Sequence, residues 1–254
     1  MKELIRKIAR AAGYEIHRRT PADDPLPIEK SIIRRLGLEN AAILDVGAHH
    51  GLTALQYAHA FPQATIYSFE PFPESMAILH RNVAGHSRIV PVPSAVSEKS
   101  GETKFFLNQF SATHSLLPRP SGGHRYYAST AGPAGEVTVP VTTLDEFTAS
   151  RSIERVAILK LDIQGGELMA LRGASRLLSE HPPALIFTEI QFVPHYEGAP
   201  LALEVLQMLR GAGYALVNFF GTVTAANGQL RYSDALLIHD SVRAVGLESG
   251  HDEP

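Results

Sequence analysis

Ala41-Ala42-Ile43-Leu44-Asp45-Val46-Gly47-Ala48-His49-His50-Gly51 decides the fold of this chain, together with Ile66-Tyr67-Ser68-Phe69-Glu70-Pro71, whose Glu70 lies 19 residues beyond Gly51. The first segment is an apolar run that carries an acid and turns through two glycines into the helical spacing of Leu52, Leu55, Gln56 and Ala58. That order reads as a buried strand, a tight turn and a helix N-terminus whose free N–H groups can hold an anion. The second segment ends in a carboxylate able to accept hydrogen bonds from two ribose hydroxyls. From Gly47 to Glu70 is 23 residues, close to the roughly 20 expected when consecutive parallel strands flank one crossover helix. A nucleoside pocket is the first inference.

The glycines select the nucleoside. A dinucleotide site uses G-x-G-x-x-G so that backbone can approach a pyrophosphate, but here His49 and Leu52 occupy the second and third glycine positions. Asp45-x-Gly47-x-x-x-Gly51 instead suits S-adenosylmethionine, which presents an amino acid carboxylate and ammonium to the turn. Asp45 is expected to face that ammonium directly or through water. The competing reading, a purely structural strand-to-helix turn, is weakened by Glu70 at the right distance.

Three further segments join the glycine turn: Ser94-Ala95-Val96-Ser97-Glu98-Lys99-Ser100-Gly101, Val141-Thr142-Thr143-Leu144-Asp145-Glu146-Phe147, and Leu159-Lys160-Leu161-Asp162-Ile163-Gln164-Gly165-Gly166-Glu167-Leu168. In this order, over residues 41 to 190, they resemble the FkbM-type methyltransferases, with their A-V-S, T-L-D and K-x-D-x-x-G-x-E elements. One position departs: that family usually has Asn where this chain has His49. The resemblance implies an α/β Rossmann-like class I methyltransferase fold, with a mostly parallel seven-stranded sheet, helices on both faces and an extra N-terminal helical segment. It implies methyl transfer from S-adenosyl-L-methionine to a hydroxyl of a small molecule, a sugar, glycan or glycosylated natural product, leaving S-adenosyl-L-homocysteine. The expected cofactor contacts are Asp45, Gly47, Ala48, His49, Gly51 and Thr53 around the turn, Glu70 and Pro71 after the second strand, Ser94 and Ala95, and Asp162.

Periodicity and Pro/Gly punctuation supply the layout. Pro21 to Pro27 reads as a linker and Ile28 to Leu36 as a helix. Strands at 42–46, 64–69 and 87–92 alternate with helices at 51–60 and 73–83, and strands at 155–161 and 184–190 with helices at 166–180 and 201–210. A final strand pair spans 214–220 and 232–238. Such alternation argues for a parallel sheet covered on both faces. The polar stretch Gly101 to Val141 interrupts it, and Asn108 to Gly135 reads as a long loop closing over substrate. The expected organisation is an N-terminal helical extension over 1–40, a methyltransferase domain over 41–240 and a C-terminal tail over 241–254.

At 254 residues and 44% hydrophobic, the chain can bury one substantial core. A formal net charge of -3 argues against a nucleic-acid partner, which would favour a basic excess. No cysteine is present, which excludes a disulfide framework, thiolate metal ligands and a thiol nucleophile. No apolar run approaches a membrane span and no signal peptide is evident, so cytoplasmic is the expected location. Leu4, Ile5, Ile8, Ala9 and Ala12 share one helical face, with Lys2, Arg6, Lys7 and Arg10 elsewhere. A basic amphipathic helix of this kind packs on the domain, on a second copy of the chain, or on an anionic membrane surface.

Methyl transfer to a hydroxyl requires alignment and a base. Ligand sites in open parallel sheets lie at the carboxyl ends of strands, which brings forward Asp162 and Glu189 as catalytic candidates. Alternation places Lys160 on one face with Asp162, and a buried lysine needs a partner, so either carboxylate serves as base or merely pairs with Lys160. His114 is a loop histidine able to act as acid–base or orienting group. Ser115 matches a serine-rich segment of the family. Gln164, Glu167 and His195 are candidate substrate contacts, although Glu167 also suits a helix N-terminus and His195 and Tyr196 a surface loop. Asp162, Glu189 and a histidine leave a divalent ion open, but with no H-E-x-x-H or dense carboxylate cluster no metal is assigned. The second function class is a Rossmann-like protein without methyl transfer, either a nicotinamide oxidoreductase or a non-catalytic partner subunit. The glycine pattern opposes the first, and the retained Lys160, Asp162 and Glu167 oppose the second.

Overall fold

The computed structural model describes residues 24–120, 126 and 132–247. The amphipathic pattern at Met1 to Ala12 and the middle of the long polar stretch lie outside them. In chain order the described elements begin α1 (Pro25–Arg35), β1 (Ala42–Val46), α2 (Leu52–Ala60), β2 (Ile66–Phe69), α3 (Pro73–Val83), β3 (Ile89–Val92), β4 (Ala95–Val96) and β5 (Gly101–Asn108). They continue β6 (Pro133–Thr142), α4 (Leu144–Ser150), β7 (Val156–Leu161), α5 (Glu167–Arg172), α6 (Ser175–Glu180), β8 (Leu185–Gln191), α7 (Ala202–Gly211), β9 (Tyr214–Thr224), β10 (Leu230–His239) and α8 (Asp240–Leu247).

Seven strands form the main sheet in the order β3-β2-β1-β7-β8-β10-β9. The pairs β1–β2, β2–β3, β1–β7 and β7–β8 are parallel, and β10 runs antiparallel to both neighbours. The expected mostly parallel seven-stranded sheet is therefore present. Its strand order reverses between β1 and β7, the topological switch point at whose carboxyl edge ligands bind. All six residues of β7 are buried, as a strand covered on both faces requires. Alternate side chains feed two cores: Leu44, Phe69, Leu159 and Ile186 on one side, Ile43, Ile66, Ile158 and Leu185 on the other.

The first helix starts earlier than punctuation suggests. Asp24 Oδ1 accepts from Leu26 N at 3.1 Å and Pro25 occupies the first turn, where its missing N–H costs nothing. The expected linker to Pro27 therefore ends inside a helix. This helix buries Ile32 and Ile33, and α8 packs against it: Arg35 Nη1 donates to Gly246 O at 3.2 Å. Among the described residues no helix is long and apolar enough to cross a membrane.

The larger correction concerns 101–141, expected as an irregular interruption. β5 and β6 pair antiparallel, with Phe105 opposite Val137, and β6 pairs in parallel with β4, giving a separate three-stranded sheet. Val137, Val139 and Val141 alternate at the strand period and pack with Phe72, Ala95 and Phe105. That small core seats the hairpin against the carboxyl edge of the main sheet. After β5 the chain makes a single 3₁₀ turn at Ser111–Thr113.

Candidate active site

The cleft opens at the switch point. Gly47 has φ +81°, and a Cβ there would stand 1.9 Å from the Asp162 carbonyl oxygen. Only glycine lets the end of β1 press so closely on the end of β7. The N–H groups of Gly47 and Ala48 both donate to Phe69 O, at 3.1 and 2.9 Å, which ties the turn to β2. Gly51, φ +82°, then leads into α2, whose first turn has no side-chain cap. That leaves N–H groups and the positive helix end free beside Thr53, which lines the cleft. The cavity is about 240 Å³ and is walled by Gly47, Ala48, His49, Thr53, Glu70, Pro71, Ser94, Ala95, His114, Asp162 and Gln164, among others.

Glu70 is clamped by backbone. Its Oε2 accepts from His49 N at 3.0 Å and its Oε1 from Phe72 N at 2.9 Å. Each oxygen retains lone-pair capacity for a ligand hydroxyl. Burial pushes this carboxyl up to about 7, against the two backbone hydrogen bonds, which pull it down. Holding Glu70 puts His49 in the left-handed region at φ +47°, where its ring stacks on His50 and its Nε2 meets Ser111 Oγ at 2.8 Å. Burial lowers the His49 imidazole to about 4, so it is neutral at ordinary pH.

Asp45 lies behind this wall. It is fully buried, and Lys160 Nζ stands 3.1 Å from its Oδ1 while donating to Gly47 O at 2.8 Å. The partner of Lys160 is therefore Asp45, where the sequence pointed to Asp162 or Glu189, and a direct contact of Asp45 with a ligand ammonium is not provided by this geometry. Burial alone would lower the lysine, but Asp45 and Asp162 outweigh it and hold the ammonium above its usual range. The charged pair pins the glycine turn from below.

Asp162 is the carboxylate on the cleft wall next to the switch point. Its Oδ1 accepts from Gln164 Nε2 at 2.9 Å, and the same nitrogen lies 3.4 Å from Glu189 Oε2. Glu189 itself does not line the cavity; Gln191 Nε2 donates to its Oε1 at 3.1 Å. Burial, then the neighbouring Asp162 and Glu167, push the Glu189 carboxyl well above its ordinary value. Asp234 on β10 sits in register with Glu189 and is raised to about 6 by burial and by Asp162. The sequence does not single out Asp234, because its strand reads only as a closing edge; the antiparallel pairing brings it to this corner.

His114 lines the cavity. Its Nδ1 accepts from Asn108 N at 3.0 Å and its ring sits edge-on to Phe72. Burial lowers its basicity, so the neutral ring carries its proton on Nε2 and offers a donor. Three other candidates stand back from the wall. Ser115 is fully buried and its Oγ donates to Gln164 O at 2.8 Å. Glu167 is buried and its Oε1 accepts from Ile163 N and Gly165 N, at 3.0 and 3.2 Å, shaping the loop that carries Asp162. His195 is buried between Tyr126 and Tyr232, and Arg119 Nη1 donates to its carbonyl at 3.2 Å. Phe105 of β5, Ser111 and Ala112 of the 3₁₀ turn and Leu116 just after it also line the cavity; the alternation of valines in β6 is the signal that could have placed the small sheet beside it. Among the described residues no group of three His, Asp or Glu side chains is arranged to hold a metal ion.

The Methyltransferase FkbM domain family matches the chain over residues 45–216. The chain is similar to the 2-O-methyltransferase NoeI of Sinorhizobium fredii, 23% identical over 191 residues covering 72% of this chain and 77% of that protein. It is 25% identical over 197 residues to the 31-O-demethyl-FK506 methyltransferase FkbM of Streptomyces tacrolimicus, covering 69% and 73% of the two chains. It is 25% identical over 154 residues to the hexuronic acid methyltransferase AglP of Haloferax volcanii, covering 59% of this chain and 58% of that one.

Proposed function

The chain belongs to the FkbM methyltransferase family, and from that premise we propose that it moves a methyl group from S-adenosylmethionine to a saccharide hydroxyl, with Asp162 accepting the proton. The observation that carries this reading is the pairing, in one cleft, of a backbone-clamped Glu70 at the end of β2 with a carboxylate, Asp162, at the end of β7, the two strands that flank β1.

The residues suit the donor. Glu70 offers acceptor capacity to two vicinal hydroxyls, the uncapped start of α2 beside Thr53 offers N–H groups to a carboxylate, and Pro71, Ser94 and Ala95 continue the same wall. S-adenosylmethionine supplies an electrophilic methyl carbon on a sulfonium. Everything else falls to the chain: Asp162 orients the attacking hydroxyl and takes its proton, while the neutral His114 donates to an acceptor oxygen. Glu189 is unsuited to the base role, since it stands off the cavity wall and both its oxygens face side-chain amides, those of Gln164 and Gln191. Alignment of this kind can contribute about 7 to 11 kcal/mol in favourable systems, and a positioned base a further 10² to 10⁴ in rate, as an order of magnitude. The saccharide class is supported by relatives whose names specify a 2-O-methyltransferase and a hexuronic acid methyltransferase.

The test incubates the full chain with methyl-tritiated S-adenosylmethionine and a pool of methyl glycosides and methyl glycuronides. Label should enter the saccharides in an alkali-stable ether. Alkali-labile label would put the methyl on a carboxylate and overturn the hydroxyl reading. Calorimetric binding of NAD with none of S-adenosylhomocysteine would overturn the donor assignment.

A further inference from the structure

We infer that Tyr196 is a positioning residue for methyl transfer, acting through the side-chain amide of Gln164 to fix the direction in which Asp162 accepts a proton. The inference rests on the reading of Asp162 as proton acceptor.

Gln164 is held in the left-handed region at φ +57°, a conformation that costs a residue with a side chain and persists only where its surroundings impose it. Its backbone carbonyl accepts from Ser115 Oγ at 2.8 Å. Its amide faces two ways: Nε2 lies 2.9 Å from Asp162 Oδ1 and 3.4 Å from Glu189 Oε2, and Oε1 lies 2.8 Å from the Tyr196 hydroxyl. An amide has nearly the same shape when rotated by half a turn, so its direction is set by what its two ends meet. Tyr196 decides the oxygen end. It is fully buried beneath the Arg119 guanidinium, 4.2 Å from its ring centroid. Burial drives its phenol far above the usual value, which keeps it a donor. With the oxygen end taken, both amide hydrogens point to the carboxylates, Oδ1 of Asp162 is occupied, and Oδ2 is left to receive the acceptor's proton. The same hydroxyl lies 2.9 Å from Thr113 O, but that carbonyl also accepts from Asn108 Nδ2, which leaves the single phenolic hydrogen to Gln164 Oε1.

The experiment compares Tyr196→Phe, Gln164→Asn and the double variant. Phe keeps the ring under Arg119, and Asn tolerates the left-handed backbone but is too short to span Tyr196 and Asp162. Turnover in the pooled-saccharide assay should fall about tenfold in each single variant, the worth of one ordinary hydrogen bond near 1.4 kcal/mol. S-adenosylhomocysteine affinity should stay within about twofold. The double variant should lose no more than the worse single, because both changes cut one chain of contacts. Multiplying losses, or unchanged turnover in Tyr196→Phe, would overturn the inference. A second readout needs no acceptor: the Gln164 side-chain amide signals, identified by their loss in Gln164→Asn, should move toward those of an exposed glutamine in Tyr196→Phe. Signals that stay put would overturn it as well. Full activity of Asp162→Asn would sink the base reading on which it rests; an inactive Asp162→Asn beside an unaffected Tyr196→Phe would sink only the role of Tyr196.

Discussion

Glu70 and Asp162 stand in one cleft at the ends of β2 and β7, the strands on either side of β1, and are held by different means. Glu70 is gripped by two backbone N–H groups, those of His49 and Phe72. Asp162 is met by a side-chain amide, Gln164, itself met by the side chain of Tyr196. Backbone grips are fixed once the strands pair and the glycine turn forms. Side-chain grips depend on three separate segments arriving in register. In the reading proposed above, the donor end of the site is thus a property of the fold, and the catalytic end a property of particular residues placed on it.

The largest effect should come from breaking the fold's own part. Gly47→Ala puts a Cβ 1.9 Å from the Asp162 carbonyl at φ +81°, whereas a methyl group added at Gly37, φ +63°, meets nothing within 4 Å. Alanine at 47 is expected to cost more than about 3 kcal/mol and to abolish S-adenosylhomocysteine binding, and alanine at 37 only about 1 kcal/mol for the strained φ. Urea unfolding of the two variants measures the difference. Equal costs would show that the approach of β1 to β7 is not what demands glycine. Next, Asp162→Asn should keep donor affinity within several-fold and lower turnover by roughly 10² to 10⁴. A parallel loss of affinity would instead make Asp162 part of the donor end.

What could be read from the sequence follows the same division. The strand–turn–helix at 41–60, the Glu70 spacing and the seven strands of the main sheet are local patterns, and the structure has them. The Asp45–Lys160 pair joins β1 to β7, strands more than a hundred residues apart in sequence, and alternation within one strand points instead to Asp162. Ser115, Glu167 and His195 stand out by motif position, yet the hydrogen bonds of Ser115 and Glu167 go to the backbone of the site's own loops and His195 is packed among tyrosines. The hairpin of β5 and β6 is legible in Val137, Val139 and Val141, but glycines, prolines and serines around it outweigh three valines in a reading by composition. Tyr196 stands out in the sequence only beside His195, as a substrate contact or part of a surface loop; the structure buries it completely and off the cavity wall, and its role exists only through Gln164 in the folded chain.

Glu70→Gln sharpens the comparison at the donor end. A glutamine must turn its NH₂ toward either His49 N or Phe72 N, which loses the charge and leaves a backbone donor facing a donor. One unsatisfied buried group costs about 1 to 3 kcal/mol, so S-adenosylmethionine affinity should fall roughly 10- to 100-fold by calorimetry. No comparable loss is expected from Gln164→Asn. If the two variants weakened donor binding equally, the separation of the ends would fail.

The smallest effect is a pH dependence, and its sign distinguishes the two carboxylates. Burial raises Glu70 to about 7, so below that value it binds a proton and loses the ability to accept two ribose hydroxyls on top of its two backbone hydrogen bonds. Donor affinity should therefore be highest above about pH 8 and fall as pH drops through 7, reaching roughly a tenfold loss at pH 6. Binding at pH 6 should release close to one proton, readable from calorimetry in buffers of different ionisation enthalpy. The two shifted groups beside Glu70 stay out of this window: His49 is lowered to about 4 and stays neutral, and Lys160 is held above its usual range. The free chain should show the opposite slope, because the unfolded Glu70 releases its proton near 4.5 while the folded one holds it to about 7, so its contribution to folding stability declines across that interval. Glu70→Gln should remove both slopes together. Loss of the affinity slope in Asp162→Asn, with Glu70 intact, would mean that the proton belongs to the other end of the cleft.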